Sequence, residues 1–340
     1  MSTARPARPT CTVRGPYFDE LVVGQVFDAS PSVTLTDGMQ VAHRSIVGNR
    51  LRLALDETLA AEVTGEARQV SPALVWDVAI GQSTSVTQHV KANLFYRGLC
   101  FRRFPVVGDT LTTTTTIDGL KENARRPAAR PTGLVALHVV TTDQHDRPVL
   151  DFWRCAMLPL SSTDVPRGPV DDLDLIGRDA PPTRLSDAVV GWDLDRYRAR
   201  VRGEHFNDVA VGTRWEIHGG DVVSSAPELA RLTGNLAAVH HDAVAGGGRR
   251  LVYGGHTIGL ALHQVSRALP AMVTVAGWDG CDHPAPVFEG DTLLSTVEVE
   301  DRDPLPGGGG LVHLRVAVKA AGIDGLSRHV LDWRPSVVLA

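Results

Sequence analysis

Hydrophobic and polar positions alternate in two distinct ways along this chain. TLTTTTTIDGL (residues 110–120) and TGLVALHVVTTD (132–143) are β-branched and strand-like. TLLSTVEVED (292–301) and LVHLRVAVKAA (311–321) repeat that texture, the latter alternating for several residues. Between such blocks the period lengthens. In GHTIGLALHQVSRAL (255–269), Ile258, Leu262, Val265 and Leu269 share one stripe of a helix. SPALVWDVAIGQS (71–83) is a weaker helical segment in the same order relative to the earlier strands. One apolar helix followed by several long strands predicts a strongly bent antiparallel sheet wrapped around that helix, an α+β arrangement, in each half.

The halves also match in sequence. YFDELVVGQVFD (17–28) parallels HFNDVAVGTRWE (205–216), with Phe six residues before Gly in both, and Gly24 and Gly212 are 188 apart. IVGNRLRLALD (46–56) parallels LTGNLAAVHHD (232–242): Gly48 and Gly234 are 186 apart, and each Gly-Asn is followed seven residues after the Asn by Asp. FPVVGDTL (104–111) parallels PVFEGDTL (286–293), with Gly108 and Gly290 182 apart. Three pairs in one order at a nearly constant shift indicate a tandem duplication of a unit of roughly 150 residues. The expected division is a first unit over 15–160, a linker over 161–200 and a second unit over 201–340. The join LSSTDVPRGPVDDLDLIGRDAPPTR (160–184) is rich in Pro, Gly and Asp, as an exposed connection should be. GGGG (307–310) and KENARRPAARPTG (121–133) read as corresponding long hairpin tips.

Composition adds exclusions. Hydrophobic residues make up 43% and charged residues 21%, the balance of a globular protein, and a net charge of -5 gives no reason to expect a nucleic-acid partner. Cys11, Cys100, Cys155 and Cys281 form no CxxC pair and lack zinc-finger spacing, so they read as reduced, mostly buried thiols in a cytoplasmic protein. The arginine-bearing N-terminus has no apolar stretch of a signal peptide behind it. No run approaches the ~18 apolar residues of a membrane-spanning helix.

RRLVYGGHTIGLA (249–261), ANLFYRGLCFRRFPVVGDTL (92–111), GLKEN (119–123) and VLDFWR (149–154), together with a Gly-Asn loop before the helix and GDTL after it, resemble the MaoC-like hydratases and dehydratases. Among these, the mesaconyl-CoA (2-methylfumaryl-CoA) hydratase branch is the nearest match. The resemblance covers nearly the whole chain twice and implies a double hotdog: two tandem units, each a bent sheet around a central helix. It implies hydration or dehydration of an acyl thioester, with CoA as part of the substrate and no metal or redox cofactor. A short, branched or dicarboxylic enoyl chain is the expected acyl group. Acyl carrier protein remains an alternative to CoA, and the assembly is open between monomer and homodimer.

In that family an Asp precedes the catalytic His by five residues. Here the His matches His240 and the Asp matches Asn235; the first copy has Ala54 and Asn49 at these positions, neither base nor acid. Any chemistry therefore belongs to the second copy, and the first is expected to line the ligand tunnel. Hydration of an enoyl thioester builds charge on the thioester oxygen, which needs fixed donors, and moves a proton, which needs a base near neutrality. His240 fits the base and Asn235 an orienter of water, since an amide cannot exchange a proton. Gly254 and Gly255, opening the helix, with Tyr253 and His256 beside them, are candidates for binding the thioester. His256 either reaches the thioester or caps and packs, and His241 is expected to point away from the site.

Asp242 or Asp282 could supply the missing acid, and Asp242 could also activate water in a thioesterase. Arg249, Arg250, Arg102 and Arg103, with Lys91, could pair with CoA phosphates or a substrate carboxylate, or be solvated surface charge. Asp109 and Asp291, present in both GDT turns, read as turn-formers. A thioester-binding protein that does not hydrate is the competing reading.

Overall fold

The computed structural model describes residues 11–127, 129–178, 185–322 and 325–340. In the first half come β1 (Val26–Phe27), β2 (Val33–Thr34), α1 (Asp37–Val47), α2 (Glu57–Thr64), α3 (Pro72–Gln82), β3 (Ala92–Phe101), β4 (Thr110–Glu122), β5 (Thr132–Thr142) and β6 (Pro148–Pro159). In the second come α4 (Leu194–Arg200), β7 (Arg214–Glu216), β8 (Asp221–Val222), α5 (Ala226–Leu232), α6 (Ala238–His241), α7 (Gly254–Ala268), β9 (Met272–Asp282), β10 (Thr292–Pro304), β11 (Gly310–Ala321) and β12 (Ser327–Leu339). The linker expectation falls partly on residues 179–184, which lie outside the described residues.

The long strands form one sheet in the order β1-β4-β5-β6-β3-β9-β12-β11-β10-β7, with β2 on β4 and β8 on β10. The order is a palindrome: each half contributes its four long strands in the same internal sequence, and the halves join antiparallel through β3 and β9, Phe95 opposite Asp282 and Cys100 opposite Gly277. Both expected hairpin tips are present, joining β4 to β5 and β10 to β11. The double hotdog is therefore one continuous sheet carrying two central helices.

Those helices differ in surroundings. Every residue of α3 is buried, as its sequence PALVWDVAIG, apolar but for Asp77, allows. In α7 the residues Gly255 to Leu262 are all buried while Arg267 reaches solvent. Trp76 of α3 meets Trp278 of β9 and Trp333 of β12 at centroid distances of 4.8 and 6.3 Å, so aromatic packing bridges the two halves.

The repeated Gly-Asn loops have a backbone cause. Gly48 and Gly234 have φ of +75° and +70°, a left-handed conformation that glycine adopts without a Cβ penalty. The residue before each packs against a glycine of the other copy's central helix. A Cβ on Gly259 of α7 would lie 2.9 Å from Val47, and one on Gly81 of α3 would lie 1.8 Å from the carbonyl oxygen of Thr233. The duplication thus folds as an interlocked pair rather than two beads on a string.

Candidate active site

A cavity of about 290 Å³ lies between the halves. The second half supplies Asn235, Ala237, His240, Leu251 to Gly254, Thr257 and His283 to Val287, and the first half supplies Ile80, Thr84, Thr87, Val90 to Asn93, Tyr96 and Arg154. The first copy thus lines the cavity, as expected. Its own corresponding space, beside Ala54 and the start of α3, is only about 10 Å³ and is bordered by Phe104 and Trp192, whose rings are 5.1 Å apart.

His240 lies in the one-turn helix α6 and is 7% exposed. Its Nδ1 lies 2.7 Å from the carbonyl oxygen of Leu251. A carbonyl can only accept, so Nδ1 carries the proton and Nε2 keeps the lone pair. Burial pushes the imidazole pKa down to about 4, so the ring is neutral at ordinary pH. Tyr253 stands edge-on to it at 5.8 Å.

Asn235 is buried, and its Oδ1 accepts from the Ala237 amide at 3.0 Å. Asn49 makes the same contact in the first copy, accepting from Leu51 at 2.9 Å. The shared asparagine therefore closes a turn in both halves, and the side-chain amide NH₂ is what Asn235 retains for the cavity. The loop is tied to the first half: the Leu236 amide donates to Thr84 Oγ1 at 2.8 Å and the Ala238 amide to the Gln88 carbonyl at 3.1 Å.

Tyr253 precedes α7 and is fully enclosed apart from its cavity face. Its hydroxyl donates to Asp77 Oδ1 at 3.1 Å, and His43 Nε2 donates to Asp77 Oδ2 at 2.8 Å. Burial raises the Asp77 pKa above the usual carboxylate value, opposed by these two donors. Gly254 lines the cavity at the helix tip; a Cβ there would lie 3.0 Å from His283 Nε2 and 3.6 Å from the Tyr96 hydroxyl. The first amides of a helix have no acceptor inside it, so this tip presents donors.

Several expected residues stand elsewhere. Gly255 does not border the cavity: it faces Asp77, where a Cβ would lie 2.0 Å from Oδ1. His256 is completely buried outside the cavity, both ring nitrogens lack partners, and burial lowers its pKa to about 4; it packs rather than reaching a ligand. His241 points away, but by helical geometry rather than the alternation of an extended loop, its Nε2 reaching the Asn235 carbonyl at 2.6 Å. Asp242 is exposed and its Oδ1 accepts from the Val244 amide at 2.8 Å, and Asp282 is an exposed strand end. Neither lines the cavity, so neither supplies the missing acid there.

The arginines divide likewise. Arg102 pairs with Asp151 at 2.8 Å, Arg103 with Asp143 and, at 3.2 Å, Asp109, and Arg250 with Glu289 at 2.6 Å. These three are neutralised within the fold. Arg249 is exposed and stacks 4.1 Å from the Phe288 ring centroid, and the exposed Lys91 borders the cavity. Asp109 and Asp291 accept the amides of Val106 and Phe288, three residues back, in equivalent turns.

Sequence reasoning missed three lining groups. His283 follows β9, and burial lowers its pKa to about 4; Tyr96 lies on β3; Arg154 lies on β6 and is 3% exposed. Among the described residues no Asp or Glu borders the cavity, and no cluster of His, Cys, Asp and Glu could hold a metal ion. No described helix is long and apolar enough to cross a membrane.

Comparison with known proteins agrees with this architecture. No family model matches the sequence. The chain is 28% identical to the β-methylmalyl-CoA dehydratase of Chloroflexus aurantiacus over 90% of its length and 88% of the relative's. It is 28% identical to the mesaconyl-CoA hydratase of Cereibacter sphaeroides over 92% of each. Among solved structures it is similar to RV0216 of Mycobacterium tuberculosis, a double-hotdog protein, at 54% identity and TM-score 0.90, covering 96% of this chain and 99% of that one. A protein from C. aurantiacus described as a MaoC domain dehydratase superposes with TM-score 0.84 at 25% identity, covering 97% and 99%. With that sequence likeness end to end, and two hotdog units sharing one sheet, the chain belongs with the double-hotdog proteins and is similar over nearly its whole length to MaoC-like hydratases and dehydratases.

Proposed function

We propose that the protein is a hydro-lyase that adds water to, or removes it from, an enoyl thioester, with His240 as the base. The observation that carries this reading is the fixed tautomer of His240, whose neutral Nε2 is free beside a cavity that also holds the tip of α7. Nε2 takes a proton from water as its oxygen bonds to Cβ. The imidazolium so formed returns a proton at Cα, and the α7 tip with Gly254 holds the thioester oxygen as it gains charge. The Asn235 NH₂ orients the water. Tyr253, held by Asp77, packs beside the ring and keeps it aligned.

The relatives' names support CoA as the carrier and a short or branched acyl chain, and the cavity's size suits such a chain. Acyl carrier protein has no such support. The cavity is completed by the two halves of one chain, so a homodimer is not needed to build it. With no described carboxylate at the cavity, the thioesterase alternative loses its water-activating group.

One observation favours a second reading, a thioester-binding protein without hydratase activity: the Asn235 carbonyl is committed to the same turn as Asn49 in the inert copy. Turnover of crotonyl-CoA and mesaconyl-CoA by the wild type and His240→Ala separates the two. Hydration lost in His240→Ala supports the enzyme, tight binding of both esters without hydration supports the binder, and release of free thiol supports the thioesterase.

A further inference from the structure

Arg154 is a buried cation without a counter-ion. It sits on β6, opposite Tyr96 of β3 and Leu137 of β5, and is 3% exposed. Its Nη2 donates to the Ser83 carbonyl at 3.0 Å and to Thr87 Oγ1 at 2.9 Å. Nε is buried without a partner, and among the described residues none of its nitrogens meets a carboxylate. Arg102, Arg103 and Arg250 are matched with Asp or Glu, whereas Arg97 and Arg130, which bond only to backbone carbonyls, are not buried as Arg154 is.

Removing a guanidinium from water is costly unless an anion replaces the lost hydration. The buried carboxylate of Asp77, bonded to the cavity residue Tyr253, is already held by His43 and Tyr253. Arg154 borders the same cavity as His240, Tyr253 and Tyr96, pairs across the sheet with Tyr96, and its charge bears on all three. A planar guanidinium suits a carboxylate, which it can grip through two parallel N–H donors.

We infer that Arg154 is a specificity-determining residue that pairs with a free carboxylate on the acyl chain, so that the substrate is the monothioester of a short unsaturated dicarboxylic acid. The inference rests on the hydratase reading above for the identity of the thioester, but not for the pairing itself. A carboxylate attached to the double bond lies within a few ångströms of the carbon that receives water, and Arg154 lines the same cavity as His240.

The test compares mesaconyl-CoA with (E)-2-methylcrotonyl-CoA, in which a methyl group replaces the carboxylate, on the wild type, Arg154→Gln and Arg154→Lys. Both kcat/KM and calorimetric binding of each ester are measured. The wild type is expected to favour the carboxylated ester roughly 100-fold or more, since a site built for a polar group strongly rejects an analogue lacking it. In Arg154→Gln that preference is expected to collapse, chiefly through KM, and Arg154→Lys should recover part of it. Equal losses on both esters, which a structural tie to Ser83 or a contact with the thioester oxygen would produce, overturn the inference, as does a preference that survives the substitution. Hydration of the neutral ester without any preference sinks the inference and leaves the hydratase reading intact. Arg154-dependent binding of the carboxylated ester without hydration does the reverse.

Discussion

The Tyr253 hydroxyl donates to Asp77 Oδ1 at 3.1 Å, a hydrogen bond that runs from the second copy's helix tip to the first copy's central helix. With His43 on the other oxygen of Asp77, it forms a buried chain across the duplication. Asp77→Ala would strand both donors in a fully enclosed place. It is expected to destabilise the protein by about 3–5 kcal/mol, the range for breaking a buried charged pair. Denaturant unfolding followed by tryptophan fluorescence measures this, and a loss below about 1 kcal/mol would show that the chain does not hold the halves together.

The same contact explains Gly255. Gly255→Ala would set a methyl group against Asp77 Oδ1 and the Tyr253 ring, with separations of 2.0 and 2.5 Å before any relaxation. Overpacking of this kind costs about 1–3 kcal/mol and displaces Tyr253 from His240. A lowered Tm with reduced kcat is expected, and an unperturbed Tm would place the backbone elsewhere.

The paired asparagines separate structure from chemistry. Asn49→Ala and Asn235→Ala each remove a turn hydrogen bond, with an expected loss of about 1 kcal/mol in stability. Only Asn235→Ala is expected to lower kcat, because only Asn235 borders the cavity. Equal activity in the two variants would leave Asn235 a turn residue and nothing more.

Protonation sets two pH dependences. As a base, His240 must be neutral, so kcat/KM is expected to stay level through neutral pH and to fall as pH drops through about 4. An acidic limb centred near 6.5 would contradict the burial of this ring. Stability follows the same sign. His240 and His256 have folded pKa values of about 4, below the ordinary 6.5, so the unfolded chain binds protons first. The stabilisation is complete above 6.5 and is lost as pH falls toward 4, by roughly 3 kcal/mol for each ring at most. Unfolding free energies measured across that interval check it.

The duplication, both helices and the hairpins were legible because they rest on local signals: repeated glycines, period and turn composition. His240 was singled out through the family resemblance, whose catalytic His it matches in position, and the structure places it at the cavity. What stayed hidden depends on pairing at long range. Nothing local says that β3 meets β9, and without that pairing Arg154 and Tyr96 of the first half cannot be placed beside His240 of the second. Arg154 did leave a trace. Leu150, Phe152, Arg154, Ala156 and Leu158 alternate along β6 and are all buried, so an arginine occupies an inward phase of a strand that is otherwise apolar there. The arginines singled out from sequence were adjacent pairs, and adjacency said nothing about the carboxylates that neutralise Arg102, Arg103 and Arg250.

The most direct measurement is the disappearance of the conjugated enoyl-thioester absorbance when mesaconyl-CoA is mixed with the wild type and with His240→Ala, each shown to be folded. The account expects hydration by the wild type and a rate lower by about 10²–10⁴-fold in the variant. Equal rates in the two proteins would contradict it, because the base would then have to be a group other than His240.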